Sequence, residues 1–245
     1  MLSKNQIKLI KSLGLKKNRQ QLGLFIVEGI KGINEFLNSD FKLDKLFTTN
    51  LIFEASVDQI IEISEAELKK ISALKSPNTA LAIFKIPAPA LPKNEGLIVA
   101  LDAISDPGNL GTIIRLCDWY GVKDLVCSSN TVDCYNSKVV QATMGSLARI
   151  NVTYLDLESY LESNKMDVFG TFMDGENIYK AQLPKEGIII LGNEANGISD
   201  SIKSKVSRQI TIPQFGDNKT TESLNVANAT AIILSEFSRR TITEK

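Results

Sequence analysis

The chain has 245 residues, of which 43% are hydrophobic and 23% charged, values that exclude wholesale disorder and suggest one or two domains. Lys plus Arg and Asp plus Glu each number 28, so a uniformly basic nucleic-acid binder is excluded, although a local basic patch is not. The chain has no histidine, which excludes every mechanism that needs an imidazole base.

The cysteines and the apolar runs bear on metals and membranes. Cys117, Cys127 and Cys134 form no CxxC pair, so we expect buried thiols and neither a disulfide framework nor a metal site. The first residues are too charged for a signal peptide, and no apolar run approaches the ~18–20 residues of a membrane span. We therefore expect a soluble cytoplasmic protein.

The first part of the chain mixes helical and strand periodicity and predicts a small α/β domain over residues 1–86. Helices are predicted over residues 3–13 and 30–38, and strands over 24–27, 43–48, 60–63 and 80–86. Ser64 and Glu67 form a capping box that opens a further helix, which runs to about residue 74.

A proline-rich segment, residues 87–96, follows this domain. Pro87, Pro89 and Pro92 favour an extended conformation that joins neither a helix nor a central strand, so we predict a linker. Residues 1–90 carry 13 basic and 9 acidic side chains, whereas residues 91–245 carry 15 and 19. The zero net charge thus hides a basic first domain and an acidic second one.

Strands and helices alternate over residues 97–245, which predicts a mostly parallel sheet covered by helices on both faces. The strands are predicted over residues 97–101, 124–127, near 152, 168–173, 188–191 and 209–212. The helices are predicted over residues 110–120, 137–144, 157–163, 200–206 and 224–239. Ligands of such sheets bind beyond the carboxyl ends of the strands.

Three glycine- and asparagine-rich segments follow predicted strands. In the first, residues 101–115, Asn109 is near a helix start and suits an N-cap, and Arg115 follows; a capped helix with a surface arginine is the alternative. In the second, residues 188–199, an apolar strand opens into a turn bounded by Gly192 and Gly197. The spacing is near that of a P-loop, but Ile198 stands at the lysine position, so triphosphatase chemistry is rejected.

The third segment, residues 212–229, joins a strand end at Ile212 and Pro213 to a small-residue helix that carries Asn225. Close helix packing is the alternative explanation. In this order the three segments resemble the motifs of the SpoU/TrmH branch of the SPOUT RNA methyltransferases: N-x-G-x-x-x-R at 109–115, L-G-N-E-x-x-G at 191–197, and I-P…S-L-N-V at 212–226. Residues 23–29, GLFIVEG, resemble that family's substrate-binding domain.

The resemblance implies a trefoil-knotted C-terminal domain that forms a homodimer, binds S-adenosylmethionine and methylates a ribose 2′-hydroxyl in ribosomal RNA, with transfer RNA less favoured. It implies these catalytic residues: Asn109, Arg115, Glu194, Ser223 and Asn225. It implies these cofactor-binding residues: Leu191, Gly192, Asn193, Gly197, Ile212, Pro213, Leu224 and Val226. Replacing Gly192 with valine is accordingly expected to crowd the cofactor.

Proton removal from the ribose needs an unusual acceptor in a chain without histidine. An arginine does not give up its proton in proteins, so Arg115 is expected to hold a phosphate and stabilise the developing alkoxide. Glu194 is a competing candidate for the proton, although its position could equally serve turn geometry. A catalytically silent RNA-binding dimer is the alternative function; a dinucleotide oxidoreductase is disfavoured because G-x-G-x-x-G is missing.

Two surfaces are expected to bind partners. The RNA is expected to contact the basic N-terminus, which carries Lys4, Lys8, Lys11, Lys16, Lys17 and Arg19 and no acid before Glu28, although a solvated helix face is the alternative. The homodimer is expected to use apolar residues of the last helix: Val226, Ala229, Ile232, Ile233 and Phe237.

Overall fold

The computed structural model describes residues 2–216 and 223–239 and separates into two compact units. The first unit consists of the described residues up to Pro89 together with Asp133–Arg149. The second unit consists of Ala90–Val132 and the described residues from Ile150 onward.

The first unit contains a four-stranded sheet in the order β1-β4-β2-β3, in which β2 and β3 are parallel and the other pairs antiparallel. Its strands are β1 (Leu24–Glu28), β2 (Leu43–Thr48), β3 (Ile60–Glu62) and β4 (Ala80–Lys85). Its helices are α1 (Lys4–Ser12), α2 (Lys16–Leu22), α3 (Ile30–Leu37), α4 (Glu65–Ile71) and α6 (Ser137–Thr143). The predicted strands and the Ser64 capping box are confirmed, whereas α2 was not predicted.

Each face of this sheet has its own apolar core. On one face, Ile10 of α1, the following Leu13, and Leu68 and Ile71 of α4 pack against Leu81 and Ile83 of β4. An aromatic group joins β1 to α3, with the Phe25 and Phe36 rings 5.5 Å apart. Burial of such side chains stabilises the fold by about 1.5–3 kcal/mol each.

Arg19 is buried, and the prediction that it binds RNA is wrong. Its guanidinium donates hydrogen bonds to the carbonyl oxygens of Leu13 and Gly14, at 2.8 and 3.1 Å, and its Nε to Asp133 Oδ2 at 3.0 Å. The side chain is 3% exposed, so it cannot reach a phosphate in solvent. The arginine instead holds the α1–α2 turn against Asp133.

Residues 133–149 pack with the first unit, although the sequence-based ranges place them in the 97–245 domain. The Asp133 carboxylate pairs with Arg19, and the Tyr135 ring lies 4.7 Å from that of Phe25. These partners are more than a hundred residues away in the sequence, so no local pattern of residues 133–149 could reveal them.

The proline-rich segment has no regular secondary structure from residue 86 to 95, as its prolines predict. Its second half is nevertheless held by the second unit. The Ala90 carbonyl oxygen accepts a hydrogen bond from Thr153 Oγ1 at 2.7 Å, and Asn94 Oδ1 accepts one from the Tyr160 hydroxyl at 2.7 Å. A linker role can therefore apply at most to the residues before Ala90.

The second unit contains a six-stranded parallel sheet in the order β10-β8-β9-β5-β6-β7. Its strands are β5 (Leu97–Leu101), β6 (Asp124–Ser128), β7 (Asn151–Leu155), β8 (Val168–Asn177), β9 (Gly187–Leu191) and β10 (Arg208–Thr211). Its helices are α5 (Pro107–Trp119), α7 (Leu157–Ser163), α8 (Asp200–Lys203) and α9 (Val226–Arg239). The predicted parallel α/β architecture is confirmed, and the implied knot stays a prediction.

Helices cover both faces of this sheet. Leu157, Leu161 and Ile202 of α7 and α8 pack on one face, against Ile188 and Ile190 of β9. On the opposite face α9 packs beside α5, and its Phe237 ring lies 5.2 Å from that of Phe169 in β8. The fully buried β9 is therefore the centre of the unit, and its carboxyl end is fixed.

The structure leaves less apolar surface on α9 for a dimer than the sequence suggests. Val226, Ile233 and Phe237 are buried against their own unit, and they leave Ala229 and Ile232 half-buried. The apolar side of α9 is thus largely buried inside the chain.

The three cysteines are buried as predicted, and burial raises the pKa of the Cys117 thiol to about 12. Within the described residues, no helix is long and apolar enough to cross a membrane.

Candidate functional site

The three glycine- and asparagine-rich segments all leave the same edge of the six-stranded sheet. They follow β5, β9 and β10, which are parallel and therefore end at one edge. Ligands of open parallel sheets bind beyond this edge. The site can thus be built from the hydrogen bonds that connect these segments.

Asp106, and not Asn109, caps α5. The Asp106 side chain accepts a hydrogen bond from the Asn109 backbone N–H at 2.8 Å, and Pro107 occupies the first helical position. The predicted N-cap role of Asn109 is therefore wrong, because the capping position is already filled three residues earlier. This leaves the Asn109 side-chain amide free for partners outside its own helix.

Asn109 connects the three segments. Its Nδ2 donates to Glu194 Oε1 at 2.9 Å, across 85 residues of sequence, and its Oδ1 accepts from Asn225 Nδ2 at 2.9 Å, across 116 residues. The Asn225 Oδ1 also accepts from the backbone N–H of Ala227 at 3.0 Å, which caps α9. We call Glu194, Asn109 and Asn225 the amide chain, since one amide joins all three segments.

The turn after β9 is held by Asn193. Its Nδ2 donates to the Ala103 carbonyl oxygen at 2.7 Å, and its Oδ1 accepts from the backbone N–H groups of Ala195 and Asn196 at 3.0 and 3.1 Å. Backbone bonds between Asn193 and Gly197 close the turn at 2.9 and 2.8 Å. The Asn193 side chain is therefore committed to the turn, and its backbone is what remains for a ligand.

Asp102 is a residue of the site that the sequence analysis missed. Its buried Oδ2 accepts hydrogen bonds from the Ser199 backbone N–H at 2.8 Å and from Ser199 Oγ at 2.7 Å. Its own N–H donates to the Leu191 carbonyl oxygen at 2.9 Å. An acidic residue directly after an apolar strand is a signal that could have identified it, because a buried carboxylate needs partners.

The backbone of its own turn requires a glycine at position 192. A Cβ built on it would lie 2.2 Å from the Gly197 carbonyl carbon and 2.3 Å from the Ile198 nitrogen. Valine at this position would therefore displace the turn itself, so its effect would not report on the cofactor. Gly197, by contrast, has a φ of +68° and no atom within 4 Å of its Cβ position.

The other implied cofactor residues differ in how far their side chains are exposed. The side chains of Leu191 and Val226 are buried, whereas Ile212 and Pro213 are half-buried and Leu224 is 50% exposed. Open space at Gly197 and partly exposed apolar side chains fit a flat, partly apolar ligand such as an adenosine.

Arg115 and Ser223 are exposed, and the structure does not bring them into the amide chain. Arg115 is six residues after Asn109, which turns it about 120° away around the helix axis. In the part of the chain that the structure describes, Arg115 forms no hydrogen bond or ion pair. A charged side chain that is unpaired among the described residues can bind an anion without giving up a contact that the structure shows.

The basic N-terminus keeps five exposed lysines after the correction at Arg19: Lys4, Lys8, Lys11, Lys16 and Lys17. Across residues 2–216 and 223–239, none of the five is in an ion pair. Those same residues hold no group of three or more His, Cys, Asp or Glu side chains that could bind a metal ion.

Comparison with known proteins identifies the family. The model of the SpoU rRNA Methylase family matches residues 96–235, more than half of the chain, and that of the MRM3-like substrate binding domain matches residues 4–82. The chain belongs to the SpoU rRNA methylase family. The first segment of the site, the β9 turn and the third segment all lie within the matched residues.

Two solved structures and one curated relative match this chain over nearly its whole length. A protein from Porphyromonas gingivalis described under the TrmH family is 38% identical, with a TM-score of 0.92 over 98% of this chain and 99% of that one. An AdoMet-bound rRNA methyltransferase from Sinorhizobium meliloti is 27% identical, with a TM-score of 0.88 over 99% and 97%. The 23S rRNA (guanosine(2553)-2′-O)-methyltransferase of Bacillus subtilis is 29% identical over 95% of this chain and 96% of its own length.

The turn geometry predicts a graded response to alanine at three glycines. Gly192→Ala is expected to lower the free energy of unfolding by about 3 kcal/mol or more, because backbone must move. Gly197→Ala should cost about 1–2 kcal/mol through its left-handed φ alone. Gly216→Ala, with no atom of the described residues within 4 Å of its Cβ position and no positive φ, should change stability by less than about 0.5 kcal/mol.

Urea unfolding of the three variants measures this order. A Gly192→Ala protein as stable as Gly216→Ala would contradict the close approach of the turn to Gly192.

Proposed function

We propose that this protein transfers a methyl group from S-adenosylmethionine to a ribose 2′-hydroxyl of ribosomal RNA, of the 23S type. The amide chain carries the proposal, because it joins the three family motifs at the ligand-binding edge of the sheet. The Bacillus subtilis relative is a 23S rRNA methyltransferase, which supports ribosomal over transfer RNA.

The cofactor would bind mainly to backbone. S-adenosylmethionine supplies a methyl group on a sulfonium, which makes the transfer an in-line displacement. The β9 turn between Gly192 and Gly197 would hold it, with Ile212, Pro213 and Leu224 as apolar walls. The chain's own contribution is orientation, since the reactive methyl group comes with the cofactor.

The amide chain would orient the acceptor ribose. Both ends of the Asn109 amide are engaged, so its position is fixed before substrate binds. Glu194 uses Oε1 to accept from Asn109 and has no bond to Oε2 from the described residues, which leaves one oxygen for the 2′-hydroxyl proton. Arg115 would hold the neighbouring phosphate and stabilise the developing alkoxide, and Ser223 would help to place the ribose.

A catalytically silent RNA-binding protein is the second candidate. It would need the shape of the site but not its chemistry. Within the described residues, Arg115 has no ion pair and Glu194 has no bond to Oε2, and these two groups beside the fixed Asn109 amide favour the enzyme.

The first test is methyl transfer from labelled S-adenosylmethionine to protein-free 23S rRNA from a strain that lacks the gene. Arg115→Ala is expected to lower kcat at least about 100-fold, because the cationic clamp is lost. Arg115→Lys should also be impaired, since lysine cannot reproduce the planar fork. Cofactor affinity, measured by calorimetry, should stay within about threefold of wild type.

Glu194→Gln is the matched variant, because it keeps an oxygen for Asn109 but cannot take a proton. It should also lower kcat about 100-fold or more. Wild-type protein that binds the RNA without methylating it would favour the silent RNA binder, and near-normal turnover by Arg115→Ala would remove Arg115 from the mechanism.

We also propose that the five N-terminal lysines contact RNA phosphates. Replacing Lys16 and Lys17 with glutamine should make the slope of log affinity against log salt shallower by roughly 1.4–1.8 units. Arg19→Gln, by contrast, should lower stability and leave the slope unchanged, because Arg19 is buried. An unchanged slope in the double lysine variant would mean that the lysines are only a solvated surface.

Two finer expectations complete the proposal. We propose a cytoplasmic homodimer; Trp119, 84% exposed on α5, supplies apolar surface that the buried residues of α9 do not. We expect the interface of the homodimer to cover this ring, because aromatic residues are enriched at interfaces. Sedimentation of the full chain at micromolar concentration measures the state, and a monomer would contradict it.

A further inference from the structure

Two aromatic rings are exposed at the third segment of the site, one within it and one next to it. Phe215 is 83% exposed and Tyr179 is 38% exposed, and their ring centroids are 6.1 Å apart with an interplanar angle of 39°. An aromatic ring left in water forgoes the stabilisation that burial would give it. Two such rings side by side therefore suggest a surface that is covered when a partner binds.

Tyr179 is mounted on a rigid turn. Its backbone N–H donates to Asn177 Oδ1 at 3.0 Å, and the turn closes by a bond of 2.9 Å from the Ala181 N–H to the Asn177 carbonyl oxygen. The flanking Ile178 and Ala181 are fully buried. The backbone of Tyr179 is thus held in place, and the residue stays 38% exposed.

This turn is tied to the strand that leads into the third segment. The Ile178 N–H donates to the Thr211 carbonyl oxygen at 3.0 Å, and Asn177 pairs with Thr211 in the sheet. Phe215 follows Thr211 by four residues, after Ile212, Pro213 and Gln214. The ring pair therefore lies at the carboxyl end of β10, where the proposed cofactor site begins.

The charge beside the pair favours a nucleotide over an uncharged aromatic ligand. Lys180, next to Tyr179, is exposed and has no ion pair within residues 2–216 and 223–239. The flat face of a nucleobase can stack on an aromatic ring of this pair. The phosphate of the same nucleotide would lie within reach of the Lys180 ammonium group. Proteins that bind unpaired RNA combine stacking on aromatic side chains with nearby basic residues.

We propose that Tyr179 and Phe215 form a stacking platform for an unpaired nucleobase next to the methylated ribose. The platform rests on the proposed function and adds to it a means of holding the RNA strand open at the site. Neither residue takes part in methyl transfer; both position the substrate. Stacking does not select one base strongly, so the platform acts on affinity more than on sequence choice.

The test measures the affinity of wild type and variants for protein-free 23S rRNA, and separately for S-adenosylmethionine. Phe215→Leu and Tyr179→Leu should each weaken RNA binding about 5- to 100-fold, because an aliphatic side chain cannot stack. Phe215→Tyr, which keeps the ring, should bind within about twofold of wild type. Leu91→Ala, which removes another exposed apolar side chain (81% exposed), is the matched control and should have no effect.

A fluorescence measurement detects the contact directly. The chain has a single tryptophan, so Trp119→Phe combined with Phe215→Trp places the one indole in the platform. Addition of the RNA should quench its emission, whereas S-adenosylmethionine alone should not.

Three results would overturn the platform. Unchanged RNA affinity in both leucine variants would show that the rings contact no base. A loss of cofactor affinity equal to the loss of RNA affinity would assign the rings to the cofactor, and a changed sedimentation coefficient would assign them to a contact between copies of the chain. The proposed function fails separately, by the absence of methyl transfer from the wild-type protein.

Discussion

The side-chain amide of Asn109 is the interaction on which the site depends. It is the point where segments from three strands of the sheet meet, and it uses its oxygen and its nitrogen for different partners. Its freedom to do so comes from Asp106, which caps α5 in its place. Because Asp106 caps α5, the Asn109 side chain can connect three segments that are distant in the sequence.

The amide chain needs a rigid support, because hydrogen bonds between exposed side chains are individually weak. Each contributes about 0.5–1.5 kcal/mol net, which is too little to hold loops that would otherwise move. The support comes from the buried β9 and from Asp102, whose carboxylate and backbone fix the turn after that strand. The close approach of Gly192 to the turn leaves no space between them. The buried apolar residues therefore fix the positions of the polar groups at the site.

Most of the fold could be predicted from the sequence, because its elements are local patterns. The apolar run of β9, the alternation of strands and helices and the Ser64 capping box all depend on neighbouring residues. The helix α2 could not, because its basic, polar sequence resembles a charged tail. Its one buried residue is Arg19, a type of side chain that is seldom buried without a partner.

The site was predictable in its segments but not in its connections. Motif spacing brought out Asn109, Glu194 and Asn225, yet the bonds between them cross 85 and 116 residues. The same reason explains why the pairing of Asp133 with Arg19 was not predicted and why Asp102 was missed. Glycine patterns suggested a ligand at Gly192, whereas the contact that excludes a side chain there is the protein's own backbone.

The three connected segments are proposed to form the site at which a ribose of ribosomal RNA is methylated. This is tested by mapping the ribose methylations of 23S rRNA from host cells without the gene and from cells complemented with wild type or Asn109→Ala. One ribose is expected to lose its methyl group without the gene, and wild type is expected to restore it while Asn109→Ala does not. Identical methylation maps with and without the gene would show that the protein methylates no ribose of this RNA.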